Sequence, residues 1–165
     1  MLTERLEQVN ERLDRLQIRH GIPSAVRGIK SLLDGFAAKG LLPYESEGIL
    51  YGACQSFWTV FEGEQLVGCS SLRILSDEVG ELRSLAVARD MQGVGIGRDL
   101  LHYALQEADA YGLKHVCAFT VCPEFFSRNG FRTYPASEFP IPEREIRQVL
   151  GFEDLSGSVV AVMDL

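Results

Sequence analysis

At 165 residues, with a formal charge of −7 and 46% apolar residues, the chain is one domain by length and carries enough apolar material for a substantial core. The acidic balance argues against a general nucleic-acid binder, which would carry a basic stripe, yet leaves room for anions held by a few arginines and backbone amides. No apolar run approaches membrane-spanning length and no hydrophobic leader opens the chain; Cys54, Cys69, Cys117 and Cys122 form no C-x-x-C pair and read as reduced core thiols of a cytoplasmic protein.

Leu2, Leu6, Val9, Leu13 and Leu16 recur at heptad spacing with Glu and Arg between them. About two heptads are too short for a free-standing coiled coil. The stripe therefore suits a helix over residues 1–15 laid against its own domain, with a homodimer seam as the second reading. Leu16 to Arg19 alternates like a short strand, and Gly21-Ile22-Pro23 turns it. Ser24 is placed to cap a helix whose apolar face is Val26, Ile29, Leu32, Leu33 and Phe36, ending by Gly40. Ile49 to Ala53 is a second, short helix.

Ser56–Phe61, Gln65–Leu75 and Val79–Val87, separated by Gly63 and by Asp77-Glu78, predict a three-strand meander. A helix with Leu100, Leu101, Ala104, Leu105 and Ala108 on one face follows and stops at Gly112. Lys114–Thr120 is an apolar strand expected to lie parallel to the one before the helix. A short helix, Glu124 to Asn129, ends at Gly130, and Phe131–Tyr134 is another strand. Pro135–Ser158 holds one helical stretch, Glu143–Leu150, and Val159–Met163 is the last strand. The order is a mixed, mostly antiparallel α/β sheet with helices on both faces.

Between the third meander strand and the long helix lies Gln92-Gly93-Val94-Gly95-Ile96-Gly97. Strand, glycine loop and helix make an arrangement for holding phosphate. First-turn amides lack partners inside the helix, the helix dipole adds positive charge there, and glycines let an anion approach. A P-loop is excluded because no Lys follows Gly97. A Rossmann fingerprint fits poorly, because Arg98 stands where the third Gly belongs and the required acid would fall near Cys117.

The pattern that Gln92-x-x-Gly95-x-Gly97 does satisfy, [QR]-x-x-G-x-[GA], resembles the pyrophosphate loop of the GNAT superfamily of acetyl-CoA-dependent N-acetyltransferases. The element order from Leu16 to Leu165 is similar to that fold too, as one domain (16–165) behind a helical extension (1–15). More narrowly, ELRSLAV, CAFTVCPEFFSRNGF, AVMDL and GFAAKGLLPYESEGI look like the acetyltransferase domain of bacterial N-acetylglutamate synthases. No separate regulatory domain is expected. Pro135–Ser158 matches least well.

The resemblance implies a splayed pair of parallel central strands and acetyl-CoA as co-substrate. Leu85, Ala86 and Val87 would bond the pantetheine arm through their backbones. Gln92 to Gly97 would hold the pyrophosphate, with Arg98, Phe125 and Arg128 beside the coenzyme. The acceptor is a small-molecule amine, the α-amine of L-glutamate in the N-acetylglutamate synthase reading, which belongs to arginine biosynthesis. Other acceptors, or a non-catalytic acyl-CoA-binding module, are the alternatives.

Attack on a thioester needs a neutral amine and a polarised carbonyl. Glu81 is the candidate base, or else an ordinary strand carboxylate paired with a neighbouring Arg. Arg83, two residues on and so on the same strand face, is the candidate carboxylate binder, or a salt-bridge partner of Glu81. Thr120 is a candidate substrate contact. Phe126 stands where many relatives carry a Tyr acid, a departure that N-acetylglutamate synthases resemble. His20, His102 and His115 have no metal-site spacing, and no metal is expected.

Overall fold

The computed structural model describes residues 2–135, 138 and 159–165. The helix expected at Glu143–Leu150, with Arg144 and Arg147, lies outside the described residues. In chain order the elements are α1 (Leu2–Leu13), β1 (Leu16–His20), α2 (Val26–Ala37), α3 (Glu47–Ala53), β2 (Phe57–Glu62), β3 (Gln65–Ile74) and β4 (Val79–Val87). They continue with α4 (Ile96–Ala110), β5 (His115–Thr120), α5 (Pro123–Arg128), β6 (Arg132–Pro135) and β7 (Val159–Asp164). The strands form one seven-stranded sheet in the order β1-β2-β3-β4-β5-β7-β6. β4 and β5 pair in parallel, and a parallel pair requires a long crossover, which α4 supplies. The mixed, mostly antiparallel α/β architecture read from the sequence is the one observed.

The described residues gather into two compact units, Met1–Ser71 with Ser84–Leu101, and Leu72–Arg83 with His102–Leu165. In the first unit, Val26, Ile29 and Leu33 of α2 are buried with Leu50, Phe57, Leu66, Cys69 and Ala86. Each Val, Ile, Leu or Phe among them stabilises the fold by roughly 1.5–3 kcal/mol. Leu85 and Val87 belong instead to a second cluster, with Val60, Val67, Met91, Ile96 and Leu100. Consecutive residues of β4 thus point to opposite faces, one covered by α2 and the other by α4. Gly68 lets α4 approach closely, since a Cβ there would stand 3.2 Å from both Ile96 and Leu100. Arg12 of α1 binds both carboxylate oxygens of Glu62, while Leu6 is 56% exposed.

Ser24 is not the helix cap that the sequence suggested. Pro23, with φ fixed by its ring, opens a 3-10 turn over Pro23–Ala25, and Ala25 takes the N-cap place of α2 with no side-chain hydrogen bond. The side-chain cap appears at α3, where Ser46 Oγ accepts from the Ile49 N–H at 3.2 Å.

In the second unit β5 pairs with β7 from His115↔Asp164 to Thr120↔Val159, and β6 lies on the far side of β7. Val79, Cys117, Val160 and Val162 make its core cluster. Gly80 faces Leu113 and Leu72 at distances that leave no room for a Cβ. Gly130, at φ +88, takes the left-handed position after α5.

Candidate active site

The first part of the site begins within β4. Ser84 has φ +54, a left-handed value that a non-glycine residue holds at a cost of about 1–3 kcal/mol and at which strands bulge. The buried Cys69 thiol donates to the Ser84 carbonyl at 3.4 Å. After Val87 the chain makes a 3-10 turn, Arg89–Met91, and the Gln92 side-chain amide donates back to the Val87 carbonyl at 2.9 Å. Gly93 and Gly95 follow at φ +78 and +98, with open space where a Cβ would be.

α4 starts at Ile96. Its first backbone bond runs from the Asp99 N–H to the Gly95 carbonyl at 3.0 Å. The Ile96, Gly97 and Arg98 amides therefore precede the first residue with an intrahelical acceptor. Ile96 is buried and pins the helix end, whereas Gln92, Gly93, Gly95 and Arg98 are exposed and Val94 and Gly97 are half-buried. Glycines without neighbours beside unpaired amides fit a pyrophosphate: the cradle has donors and the space to admit an anion.

A separate group of side chains lies on the other half of β4. Glu81 is 3% exposed. Its Oε2 accepts from Arg73 Nε at 2.9 Å and from Arg73 Nη2 at 2.6 Å, and its Oε1 lies 3.8 Å from Arg83 Nε. The structure thus brings Glu81 and Arg83 together on one strand face, as the strand period implied. It adds Arg73, which the sequence reading passed over. Hairpin register is what brings it there: Leu75 N–H bonds the Val79 carbonyl across the turn, and two residues back along each arm Arg73 meets Glu81. Parallel pairing of β4 with β5 runs from Val79↔His115 to Glu81↔Cys117, and β4 continues to Val87. Burial, reinforced by the Glu81 charge, pushes the Cys117 thiol far above the ordinary range.

Thr120 ends β5 half-buried, and its Oγ1 accepts the Cys122 N–H at 2.9 Å. Phe126 is buried edge-to-face against Phe125 and Phe131, with ring centroids 5.2 and 5.3 Å apart. Arg128 is exposed at the end of α5. Cys122 is exposed and is not a core thiol: it follows β5 in the connection to α5, outside the sheet that buries Cys117. Among the described residues no group of three or more His, Cys, Asp or Glu stands where it would hold a metal ion, and no helix is long and apolar enough to cross a membrane.

The fold, the left-handed residue in the central strand and the glycine-led helix start together define an acyl-coenzyme-binding transferase architecture. The Acetyltransferase (GNAT) family model matches residues 32–131. An amino-acid acetyltransferase of Mycobacterium tuberculosis is 38% identical over 117 residues, which cover 69% of this chain and 67% of that protein. Among solved structures, Rv2747 of M. tuberculosis, in complex with CoA and NLQ, superposes with a TM-score of 0.79 at 28% identity, covering 90% of this chain and 99% of that one. The N-acetylglutamate synthase of Neisseria gonorrhoeae, complexed with coenzyme A and N-acetyl-glutamate, gives a TM-score of 0.79 at 24% identity. That likeness covers 91% of this chain and 35% of the Neisseria chain, and at this identity it speaks for the fold alone. The chain belongs to the GNAT acetyltransferase family. It is an acetyl-CoA-dependent N-acetyltransferase.

Proposed function

We propose that the enzyme transfers the acetyl group of acetyl-CoA to the α-amine of L-glutamate, as a cytoplasmic step of arginine biosynthesis. The observation that carries this reading is the Arg73–Glu81–Arg83 cluster, which sets a buried carboxylate beside a guanidinium on one strand face. The Mycobacterium relative, 38% identical, bears the name amino-acid acetyltransferase, which supports an amino-acid acceptor.

In this reading Gln92 to Gly97 hold the pyrophosphate on the open amides of α4, with Arg98 and Arg128 adding charge at the phosphates. The backbones of Leu85, Ala86 and Val87 bond the pantetheine arm, and Phe125 lies beside it. Arg83 binds a substrate carboxylate through its planar fork, and Thr120 contacts substrate. Glu81 accepts the ammonium proton through a water. The amine lone pair then forms the new C–N bond at the thioester carbon. The C–S bond breaks as the carbonyl re-forms, the sulfur leaves with its electron pair, and the second amine proton passes through solvent to the leaving thiolate. Phe126, with no hydroxyl, does not supply that proton.

The test is a kinetic panel of glutamate, glutamine, aspartate, leucine and spermidine. Glutamate is expected to be preferred over glutamine. Arg83→Met is expected to lower kcat/KM for glutamate about tenfold to a hundredfold, chiefly through KM, since a charge-assisted bidentate contact is worth on the order of 1.5–3 kcal/mol. Preference for spermidine or leucine would overturn the glutamate assignment.

A further inference from the structure

No step of the reaction above is assigned to Arg73, yet Arg73 grips Glu81 closely. Its Nε and Nη2 both donate to one oxygen, Oε2, at 2.9 and 2.6 Å. Arg83 approaches the other oxygen, Oε1, at the longer distance of 3.8 Å. The two guanidinium groups thus divide the carboxylate: one oxygen is held in a fork, and the other faces the arginine assigned to substrate.

Among the described residues, titratable side chains flank Glu81 from the elements beside it: Arg73 from β3, Arg83 from its own strand, and Cys117 from β5. The thiol is neutral because burial pushes it up. A carboxylate as buried as Glu81 would tend to take up a proton and stay neutral, and an adjacent guanidinium reverses that tendency. Arg73 is also anchored, on a strand whose turn to β4 is closed by hydrogen bonds from Leu75 and Ser76 to the Val79 carbonyl. The fork is therefore held by main-chain geometry and does not depend on a mobile loop.

We infer that Arg73 is a positioning residue for acetyl transfer: it keeps the Glu81 carboxylate ionised, fixes the position of Oε2, and so presents Oε1 to the water that relays the proton of the incoming amine. This rests on the reading of Glu81 as the base. A guanidinium suits the task better than an ammonium, because its two N–H groups define an orientation as well as a charge.

The experiment is steady-state kinetics with acetyl-CoA and glutamate across pH for Glu81→Gln, Arg73→Met, Arg73→Lys and the Arg73→Met/Glu81→Gln double variant, with thermal melts of each. Arg73→Met is expected to lower kcat by roughly tenfold to a hundredfold through lost alignment. It should also move the acidic limb of the kcat/KM profile up by about 1–2 pH units, because a carboxyl that loses its cation is harder to ionise. KM for acetyl-CoA should stay within about twofold of wild type, as expected for a residue outside the coenzyme cradle. Arg73→Lys keeps the charge and loses the fork, so its limb should return to wild type while kcat remains several-fold low. In the Glu81→Gln background, Arg73→Met should cost little more, because both changes disable one device. An unmoved acidic limb in Arg73→Met, with Glu81→Gln impaired, overturns the positioning role and leaves Glu81 as base. Wild-type turnover in Glu81→Gln removes the base itself. If Arg73→Met fails to fold, Arg73→Lys decides: a limb shifted upward despite the retained charge overturns the proposal.

Discussion

Arg12 and Glu62, fifty residues apart, form a fork: Nε and Nη2 of the arginine each donate to one carboxylate oxygen, both at 2.9 Å. The contact fastens α1 to the end of β2, and Arg12 also reaches Asp90, within the 3-10 turn before the glycine loop, at 3.2 Å. Arg12 holds the Glu62 carboxyl below the usual glutamate range, chiefly through this hydrogen bonding. A folded pKa below the unfolded value of about 4.3 means that the contact stabilises fully above that value and fades as pH falls through the folded pKa. Wild-type protein should therefore melt above Arg12→Ala at neutral pH, and the two curves should converge in acid. A gap that persists well below the glutamate range would assign the difference to Arg12 packing. Added salt should narrow the neutral-pH gap, because the pair is only half-buried and remains open to screening.

The four thiols should separate by reactivity. Cys54, Cys69 and Cys117 are buried and Cys122 is exposed. Burial pushes the Cys69 thiol up to about 12, leaving almost no thiolate at neutral pH. Ellman titration of the folded protein should release one equivalent promptly, and Cys122→Ser should abolish that fast phase. Denaturation should expose the others together. A fast phase that survives in Cys122→Ser would show that a buried thiol is reached through local opening.

Ser70 is fully buried on β3, opposite Trp58, and its hydroxyl has no hydrogen-bond partner among the described residues. A buried hydroxyl without a partner costs on the order of 1–3 kcal/mol. Ser70→Ala removes it with little loss of volume, so urea unfolding should show unchanged or greater stability, by up to about 1 kcal/mol. A loss of more than about 1 kcal/mol would reveal a buried water bonded to that hydroxyl.

Much of this architecture was legible because local chemistry and long-range packing agree. The meander strands alternate, their turns carry Gly63 and Asp77-Glu78, and the long helix keeps one apolar face from Ile96 to Ala108. The errors fall where a local rule had a competitor. Ser24 is a good cap by type, but Pro23 claims the turn first. Cys122 follows an apolar strand, yet lies beyond its last pair, Thr120↔Val159. Ser84 carries no sequence mark of its left-handed backbone, since serine has no general preference for positive φ. The pairing of Glu81 with Arg83 follows from strand period, whereas Arg73 required hairpin register, a non-local quantity.

The glycine loop offers a prediction in which fold stability and ligand affinity move in opposite directions. Gly97 lies in the first turn of α4, and Gly95 precedes that turn at φ +98. A carboxylate in a first turn complements the helix dipole and stabilises an exposed helix by about 0.3–1 kcal/mol. Glutamate also forms helix more readily than glycine, by several tenths of a kcal/mol. Gly97→Glu should therefore melt at or above the wild-type temperature. The same carboxylate would occupy the anion cradle and repel a pyrophosphate, so calorimetry should show acetyl-CoA affinity lowered at least about tenfold, the equivalent of 1.4 kcal/mol. Gly95→Ala separates backbone from charge: it adds a methyl group into open space but forces a side-chain-bearing residue to positive φ, a strain of about 1–3 kcal/mol. It should lower the melting temperature while weakening binding less than Gly97→Glu does. Gly97→Gln supplies the neutral control and should bind between wild type and Gly97→Glu. Wild-type affinity in both Gly97 variants would place the pyrophosphate elsewhere and remove the loop from the coenzyme site.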